Sequence, residues 1–289
     1  MAKNGDIVDG KIVVHKVEEG MNVREVLCST YQMRNMYRQL GTGFFSNLDI
    51  MNYIQHHKAA KMAKAGANVL DVCCGRSLML PLLRWYSKNI NSYTGVDISE
   101  TNINEAKRGC AIRSKELEEN ELEDYYPFKT EWILSNVAEM SKHLEAGTMD
   151  FIVYTSAIEH MHKDVGYQSL KECKTLLAKD GVMFLSCPNT PGNGYETQYA
   201  AHVYEWGYDE LKEALDELGF EIIQEVGLVL SAKDVEPLIA EQPAEVQQFI
   251  GKLKDYLPSE WFTSVLAIPF PKTAKEVLFV VKKKRNKLF

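Results

Sequence analysis

The sequence has few cysteines, and they show no pairing pattern. Six cysteines are scattered over 289 residues, and the only adjacent two are Cys73 and Cys74. Neither a Cys-x-x-Cys pair nor a zinc-ligand spacing occurs, although secreted disulfide frameworks and structural zinc sites need such patterns. The sequence therefore predicts free thiols in a reducing compartment.

Long apolar runs are also absent. No segment approaches the roughly 20 apolar residues that cross a bilayer. The N-terminal MAKNGDIVDG lacks the apolar core of a signal peptide, so we expect an intracellular, cytoplasmic protein without membrane contacts. A hydrophobic content of 45% is sufficient for a large core in one elaborated domain, or in one domain with a cap.

Positive charge is in deficit. The chain has 33 Lys and Arg against 40 Asp and Glu, which gives a formal net charge of -7. Proteins that bind nucleic acid mainly by neutralising phosphates need a basic face, so this balance disfavours a nucleic-acid partner without excluding it. The basic run at residues 282–287 is more typical of a solvated tail than of a nucleic-acid patch.

The segment Ala67–Ser99 has the pattern of a strand, a tight turn, a helix and a second strand. The apolar strand Val69–Val72 leads into Cys73–Ser77, where mostly small residues allow the backbone to approach a ligand closely. Asp97 closes the next strand, 26 positions after Asp71. An acid there can accept hydrogen bonds from both hydroxyls of a ribose, so the pattern predicts half of a nucleotide-cofactor site.

The turn contains one glycine, Gly75, and this argues against NAD. A dinucleotide fold needs a full G-x-G-x-x-G to seat a pyrophosphate, whereas a cofactor with a ribose and no phosphate relaxes that demand. The chain here resembles the class I S-adenosylmethionine-dependent methyltransferases. Their first motif, D-x-G-x-G-x-G, aligns on Asp71, Cys73, Gly75 and Ser77. The resemblance implies that S-adenosylmethionine is the cofactor and that Asp71, Cys73, Gly75 and Asp97 bind it.

Later segments follow the order of the same family. Trp132–Val137 has the pattern of the third strand, with Asn136 where the family usually carries an Asp that accepts from the adenine amino group. Asp150–Ser156 has the pattern of the fourth strand, and Leu176–Pro188 has that of a helix end, an Asp-Gly turn and the fifth strand. Further strand patterns lie after Gly219 and at Glu276–Lys282. The resemblance covers roughly residues 61–229. It implies that Ile98, Asn136, Val137 and Tyr154 also contact the cofactor.

The implied fold is α/β, of the Rossmann-like class I methyltransferase type. It has a seven-stranded, mostly parallel sheet with helices on both faces. Residues 61–289 form the expected methyltransferase domain, with a proline-rich helical insertion at about 231–275 that can shape the acceptor pocket. Residues 1–60 form an expected N-terminal helical cap, from which Tyr31, Arg34 and Tyr37 can contact the methionine end of the cofactor or the acceptor.

The residues after the fourth strand suggest the chemistry. Glu159 and His160, with the later His202, resemble two groups of relatives: small-molecule O-methyltransferases of the ubiquinone-biosynthesis type, and 2′-O-methyltransferases of small-RNA 3′ ends. The RNA enzymes use Glu-x-x-Glu-His and a later His to hold a divalent metal, and here the first of those acids is Ser156. Glu159, His160 and His202 are therefore the candidate catalytic residues.

Three roles are open for His160. It can be the base that deprotonates an acceptor hydroxyl, a metal ligand together with His202, or a structural residue that lines the cofactor pocket. Because Ser156 replaces a carboxylate, we favour the base and expect no metal site.

Methyl transfer from S-adenosylmethionine to a hydroxyl or amine of a small molecule is the leading functional hypothesis. The alternatives are an RNA-directed 2′-O-methyltransferase and a catalytically silent domain that binds the cofactor or a partner.

Overall fold

The computed structural model describes residues 7–8, 11–12, 45–87, 89–118, 128–190, 194–197 and 199–285. Most of the expected N-terminal cap, including Tyr31, Arg34 and Tyr37, lies outside these residues. The described strands are β1 (Ile7–Val8), β2 (Lys11–Ile12), β3 (Asn68–Val72), β4 (Ser92–Asp97), β5 (Lys129–Leu134), β6 (Met149–Thr155), β7 (Leu177–Pro188), β8 (Phe220–Val229) and β9 (Glu276–Lys283). The described helices are α1 (Asn47–Met62), α2 (Leu80–Tyr86), α3 (Glu100–Glu118), α4 (Lys163–Leu176), α5 (Tyr208–Glu217), α6 (Ala232–Ala240), α7 (Ala244–Tyr256) and α8 (Ser259–Ala267).

The main sheet has seven strands in the order β5-β4-β3-β6-β7-β9-β8. Neighbours from β5 to β7 are parallel, and β9 is antiparallel to both β7 and β8. The predicted seven-stranded, mostly parallel sheet is therefore confirmed. The chain adds β4 and β5 on one side of β3 and then β6 and β7 on the other. Ligands of open α/β sheets bind at such a switch point, beyond the carboxyl ends of the strands.

Helices cover both faces of the sheet, as predicted, because the central strands are apolar on both faces. In β6, Phe151 and Val153 belong to one apolar cluster, and the alternate residues Ile152 and Tyr154 belong to another. All four side chains are at least 97% buried. Successive side chains of a strand point to opposite faces, so a parallel strand of this kind needs cover on both sides.

Helix α1 is tied to the carboxyl ends of β6 and β7 by a buried amide. The side chain of Gln55 is fully buried. Its Nε2 donates to Ser156 Oγ at 3.1 Å, and its Oε1 accepts from Ser186 Oγ at 2.5 Å. The helix starts in a capping box formed by Ser46 and Asp49. This anchored helix places a polar side chain directly at the predicted ligand-binding edge of the sheet.

Residues 231–275, between β8 and β9, contain α6, α7 and α8 around a small apolar cluster that includes Phe262 and Ala267. Helix α8 packs against β8 at Gly227, which lies beneath the backbone of Ala267. None of the helices in the described ranges has the length and apolar character needed to cross a membrane.

We expect Gly227→Ala to lower the free energy of unfolding by about 1–3 kcal/mol, as overpacking typically does. The added Cβ would meet the carbonyl oxygen of Ala267 and would lie 2.9 Å from Cβ of Ala274. Gly251→Ala in α7 is the matched control, because its Cβ meets no atom within 4 Å. That change should be neutral or stabilise by up to about 1 kcal/mol. Equal effects in urea unfolding would contradict the close packing of α8 on β8.

Candidate functional site

Three residues of the turn after β3 have left-handed backbone conformations. The φ angles are 55° at Cys73, 53° at Gly75 and 59° at Ser77. These are the aligned glycine positions of the methyltransferase motif, so the backbone shape is kept although two glycines are replaced. Left-handed backbone costs a non-glycine residue roughly 1–2 kcal/mol. A Cβ added to Gly75 would meet no atom within 4 Å, which leaves open space at the turn for a ligand.

The turn is held in place by the two neighbouring strands. The backbone N–H of Cys74 donates to Val96 O at 3.0 Å, and Trp132 Nε1 donates to Ser77 Oγ at 2.8 Å. The thiol of Cys74 lies so close to Gly95 that a Cβ there would be 2.7 Å from Sγ. Contacts with β4 and β5 therefore stabilise the strained turn.

Asp97 connects the turn to the end of β4. Its Oδ2 accepts from the N–H of Gly75 at 2.9 Å, and its Oδ1 accepts from the N–H of Ser99 at 2.8 Å. Burial raises the pKa of Asp97, and the two amides oppose that shift. Each carboxylate oxygen has a second lone pair, so the group can still accept from ligand hydroxyls. Its position fits the ribose-binding role that the sequence predicts.

Asp71 is buried beside the turn. It accepts from the hydroxyl of Tyr93 at 2.7 Å. Burial raises the pKa of Asp71 to about 7; the Tyr93 hydrogen bond lowers it, and the charge of Asp97 raises it further. The observed partner of Asp71 is thus a core tyrosine, which gives this acid a supporting role in addition to the predicted contact with the cofactor.

Two of the predicted cofactor contacts lie at the surface. Ile98 is 52% exposed directly after Asp97, which leaves an apolar side chain beside the predicted ribose site. Asn136 is exposed, and its Oδ1 accepts from the N–H of Ala138 at 2.9 Å, which caps the 3₁₀ helix Val137–Lys142. An apolar side chain with few convergent polar groups is typical of small-ligand sites.

The other two predicted contacts belong to the core. Tyr154 is fully buried in β6, and its hydroxyl lies 2.9 Å from Ser169 Oγ of α4. Val137 is 6% exposed and packs in the same cluster. The structure therefore does not bring these two side chains to the open edge beside Asp97.

Glu159, His160 and His202 come together at the carboxyl end of β6. Their ligand atoms all lie within 4.8 Å of one another, and the two imidazole rings are 5.0 Å apart and nearly perpendicular. Glu159 and His160 lie in the 3₁₀ helix Ile158–His160. The N–H groups of Val203 and Tyr204 donate to the carbonyl of Glu159 at 2.8 and 3.2 Å. This backbone pairing joins the loop that carries His202 to the cluster.

Each histidine of the cluster has one ring nitrogen engaged. His202 Nδ1 lies 2.5 Å from Glu205 Oε1, and His160 Nδ1 lies 3.3 Å from the carbonyl oxygen of Ala201. With Nδ1–H donating in both rings, both Nε2 atoms keep a free lone pair. Burial lowers the pKa of His160 to about 4, and nearby His202 adds to the shift. The His160 imidazole is therefore neutral at pH 7.

Glu159 brings an unpaired carboxylate oxygen to the cluster. The residue is 2% exposed, and its Oε2 has no hydrogen-bond partner among the described residues. Burial raises the pKa of Glu159 well above its usual range, and the carboxylates of Glu276 and Glu205 raise it further. Buried acceptors without a partner are costly, so this oxygen is well suited to receive a cation or a donor.

Sequence analysis missed two further buried acids at this edge. Glu205 is fully buried, accepts from Thr190 Oγ1 and orients His202. Glu276 is 7% exposed and accepts from Ser156 Oγ at 3.0 Å; burial raises its pKa to about 8. The sequence signal for these two acids is weak: Glu205 follows His202 by three positions, and Glu276 precedes the apolar run Val277–Val281.

The turn and the cluster lie at one edge of the sheet. Burial raises the pKa of the Cys73 thiol. The carboxylates of Asp97 and Glu159 add to this shift. The carboxyl ends of β3 and β6 are adjacent because these strands pair in parallel. A ligand held by the turn would therefore lie next to the histidine cluster.

The fold and this edge define an α/β protein with a nucleoside-type ligand site. Residues 52–225 match a family model described as a methyltransferase domain, and the chain belongs to this family. It is an S-adenosylmethionine-dependent methyltransferase. The open turn and the buried acceptor Asp97 fit that cofactor. No curated protein matches the chain in sequence.

Solved structures share the fold at low sequence identity. A complex between the Haloferax volcanii Trm112 methyltransferase activator and a methyltransferase matches with a TM-score of 0.57 and 13% identity, over 92% of this chain and 100% of that chain. A TehB-like S-adenosylmethionine-dependent methyltransferase from Corynebacterium glutamicum matches with a TM-score of 0.53 and 14% identity, over 89% of this chain and 98% of that chain. The small RNA methyltransferase HEN1 matches with a TM-score of 0.53 and 16% identity, over 84% of this chain and 26% of that chain. At these identities the likeness concerns the fold.

We expect Asp97→Ala to weaken binding of S-adenosylhomocysteine by about 1.5–3 kcal/mol, the range for hydrogen bonds to a charged group. Calorimetry measures the effect, and a thermal melt checks that the variant is folded. Asp180→Ala is the matched control, because this acid is exposed in β7 and lies 3.4 Å from Arg285. A folded Asp97→Ala protein with unchanged affinity would show that Asp97 does not bind the ribose.

Proposed function

We propose that this methyltransferase methylates a hydroxyl group of a small molecule at the cluster of Glu159, His160 and His202, and that the cluster holds a divalent cation. One observation carries the proposal. Two imidazoles with free Nε2 atoms and a carboxylate with an unpaired oxygen meet within 4.8 Å, beside the cofactor turn. Neither alternative role of His160 accounts for that convergence, because a lone base or a lining residue does not need the other two groups.

The surroundings of the histidines support the cation over a general base. Imidazoles that bind a metal usually donate their other N–H to a carboxylate or a backbone carbonyl, which fixes the ring. Glu205 provides that acceptor for His202, and the carbonyl of Ala201 provides it for His160. Two imidazoles and one carboxylate suit a divalent transition metal. On this ground we propose the cation in place of the general base that the sequence favoured.

The methyl donor and the proposed cation would have different roles in the reaction. S-adenosylmethionine supplies an electrophilic methyl group on its sulfonium, and a bound cation would lower the pKa of an acceptor hydroxyl. The protein has to align the acceptor oxygen with the S–CH₃ bond and exclude water. Asp97 and the turn around Gly75 would hold the donor, and the histidine cluster would hold the acceptor end.

Aromatic side chains border the histidine cluster and fit a planar acceptor. Tyr199 is 56% exposed, with its ring centroid 5.1 Å from that of His202. Tyr195 is 60% exposed and lies 4.8 Å from the ring of Tyr204. Exposed aromatic rings of this kind stack on planar ligands. The net charge of -7 favours a small acceptor over a polyanion.

RNA-directed 2′-O-methylation is the second candidate. The residues Glu159, His160 and His202 are of the types that metal-dependent RNA enzymes use, and the small RNA methyltransferase HEN1 shares the fold. Exposed tyrosines also serve as stacking platforms for the bases of single strands. Comparing a panel of phenols and catechols with a short RNA that has a free 3′-terminal ribose discriminates between the two acceptor classes.

We expect transfer of labelled methyl groups to small hydroxyl compounds to stop in a chelator and to return with Mn²⁺ or Co²⁺. His160→Ala and His202→Ala should then fail alike, because each removes one ligand of the same ion. His143→Ala is the matched control, since this histidine is exposed and away from the cluster.

Two results would contradict the proposal. If chelation has no effect and His160→Ala alone lowers turnover by about 10²–10⁴-fold, His160 is a general base and the cation is wrong. If the short RNA is methylated in preference to every small compound, the acceptor class is wrong.

A further inference from the structure

We infer that Glu276, the first residue of β9, is an additional positioning residue of the cation site, and that its carboxylate replaces the acid that Ser156 has displaced. This inference rests on the proposed function and extends it to a residue 116 positions beyond His160 in the sequence. Glu276 is not one of the three ligands within 4.8 Å of one another. We assign it to the outer shell, where it acts through the hydroxyl of Ser156 and through its charge.

The reversed direction of β9 explains how this acid reaches the site. Because β9 is antiparallel to β7, its first residue lies at the carboxyl edge of the parallel strands. Glu276 pairs with Pro188, the last residue of β7, and with Val229, the last residue of β8. The residues after it, from Val277 to Val281, are apolar and at least 99% buried. The carboxylate is thus an isolated polar group on a core strand.

A chain of buried hydrogen bonds aims the Glu276 carboxylate at Ser156. Gln55 Nε2 donates to Ser156 Oγ at 3.1 Å, and Ser156 Oγ donates to Glu276 Oε1 at 3.0 Å. The hydroxyl proton of Ser156 therefore points to Glu276. Ser156 itself is held in a left-handed conformation with φ of 48°. Such strain persists only where the surroundings enforce it, and it clusters at functional sites.

A second observation points to a ligand at this place. Glu159 Oε2 is unpaired among the described residues although Glu159 is 98% buried. Two buried carboxylates at the same edge of a sheet repel when both are ionised, unless a cation lies near them. A cation at this place would favour the ionised form of Glu276, which would then add negative charge on the Ser156 side of the cluster, where the metal-dependent relatives carry a carboxylate.

The test measures cation binding independently of activity. Co²⁺ is titrated into the chelator-treated protein and followed by its visible absorption, with Mn²⁺ calorimetry as a second measurement. Glu276→Gln keeps the shape of the side chain and removes its charge. We expect it to weaken binding by about 10–100-fold, the usual range for loss of an outer-shell partner. Glu221→Gln, an exposed acid on the adjacent strand β8, is the matched control and should bind like the wild type.

A relocation experiment separates positioning from a merely structural role. In the Glu276→Gln protein, Ser156→Asp returns a carboxylate to the same corner, and aspartate tolerates the left-handed backbone at this position. We expect the double variant to regain most of the Co²⁺ affinity. A purely structural Glu276 would not be rescued in this way.

Each outcome has a distinct meaning. Wild-type affinity in Glu276→Gln, or no rescue by Ser156→Asp in a folded double variant, would overturn the role of Glu276 and leave the three-ligand site intact. Absence of Co²⁺ and Mn²⁺ binding in the wild type would overturn the proposed cation and this inference together. Methylation assays would still decide the acceptor class in either case.

Discussion

Buried carboxyl groups at one edge of the sheet are the constraint on which the site depends. Asp97, Glu159, Glu205 and Glu276 are each at least 93% buried there. Removing an ionised carboxylate from water is costly unless hydrogen bonds or cations compensate. Asp97 receives two backbone amides and Glu205 receives a histidine, whereas one oxygen of Glu159 receives nothing among the described residues.

The topology explains why these acids meet. Parallel strands place their carboxyl ends at a common edge, and the strand order reverses between β3 and β6, where open α/β sheets bind their ligands. Asp97 ends β4, and Glu159 lies four residues after the end of β6. The antiparallel strand β9 brings its beginning to the same edge, so Glu276 arrives from the opposite chain direction. A mixed sheet therefore supplies this site with groups from distant parts of the sequence.

Local sequence was sufficient for the fold and for half of the site. Strand and helix patterns from Val69 onward follow the observed order. Asp97 and Gly75 lie together because Asp97 ends β4 and Gly75 lies in the turn after the adjacent strand β3. The motif also indicated that Glu159, His160 and His202 share a role, although it could not show their geometry. Tyr154 was expected at the cofactor and lies in the core, since alternation along β6 directs its side chain to the covered face.

The remaining part was not predictable because it depends on contacts between distant segments. Ser156 stands where the metal-dependent relatives carry a carboxylate ligand. Judged from the sequence alone, this replacement favours His160 as a general base over a metal ligand. The Ser156 hydroxyl in fact joins Gln55 of α1 to Glu276 of β9, over separations of 101 and 120 residues. Ser156, three residues before Glu159, thus connects helix α1 with strand β9 by two hydrogen bonds. A substitution in a ligand motif therefore has to be judged by the side chain that its replacement contacts, since the missing charge can be supplied from another strand.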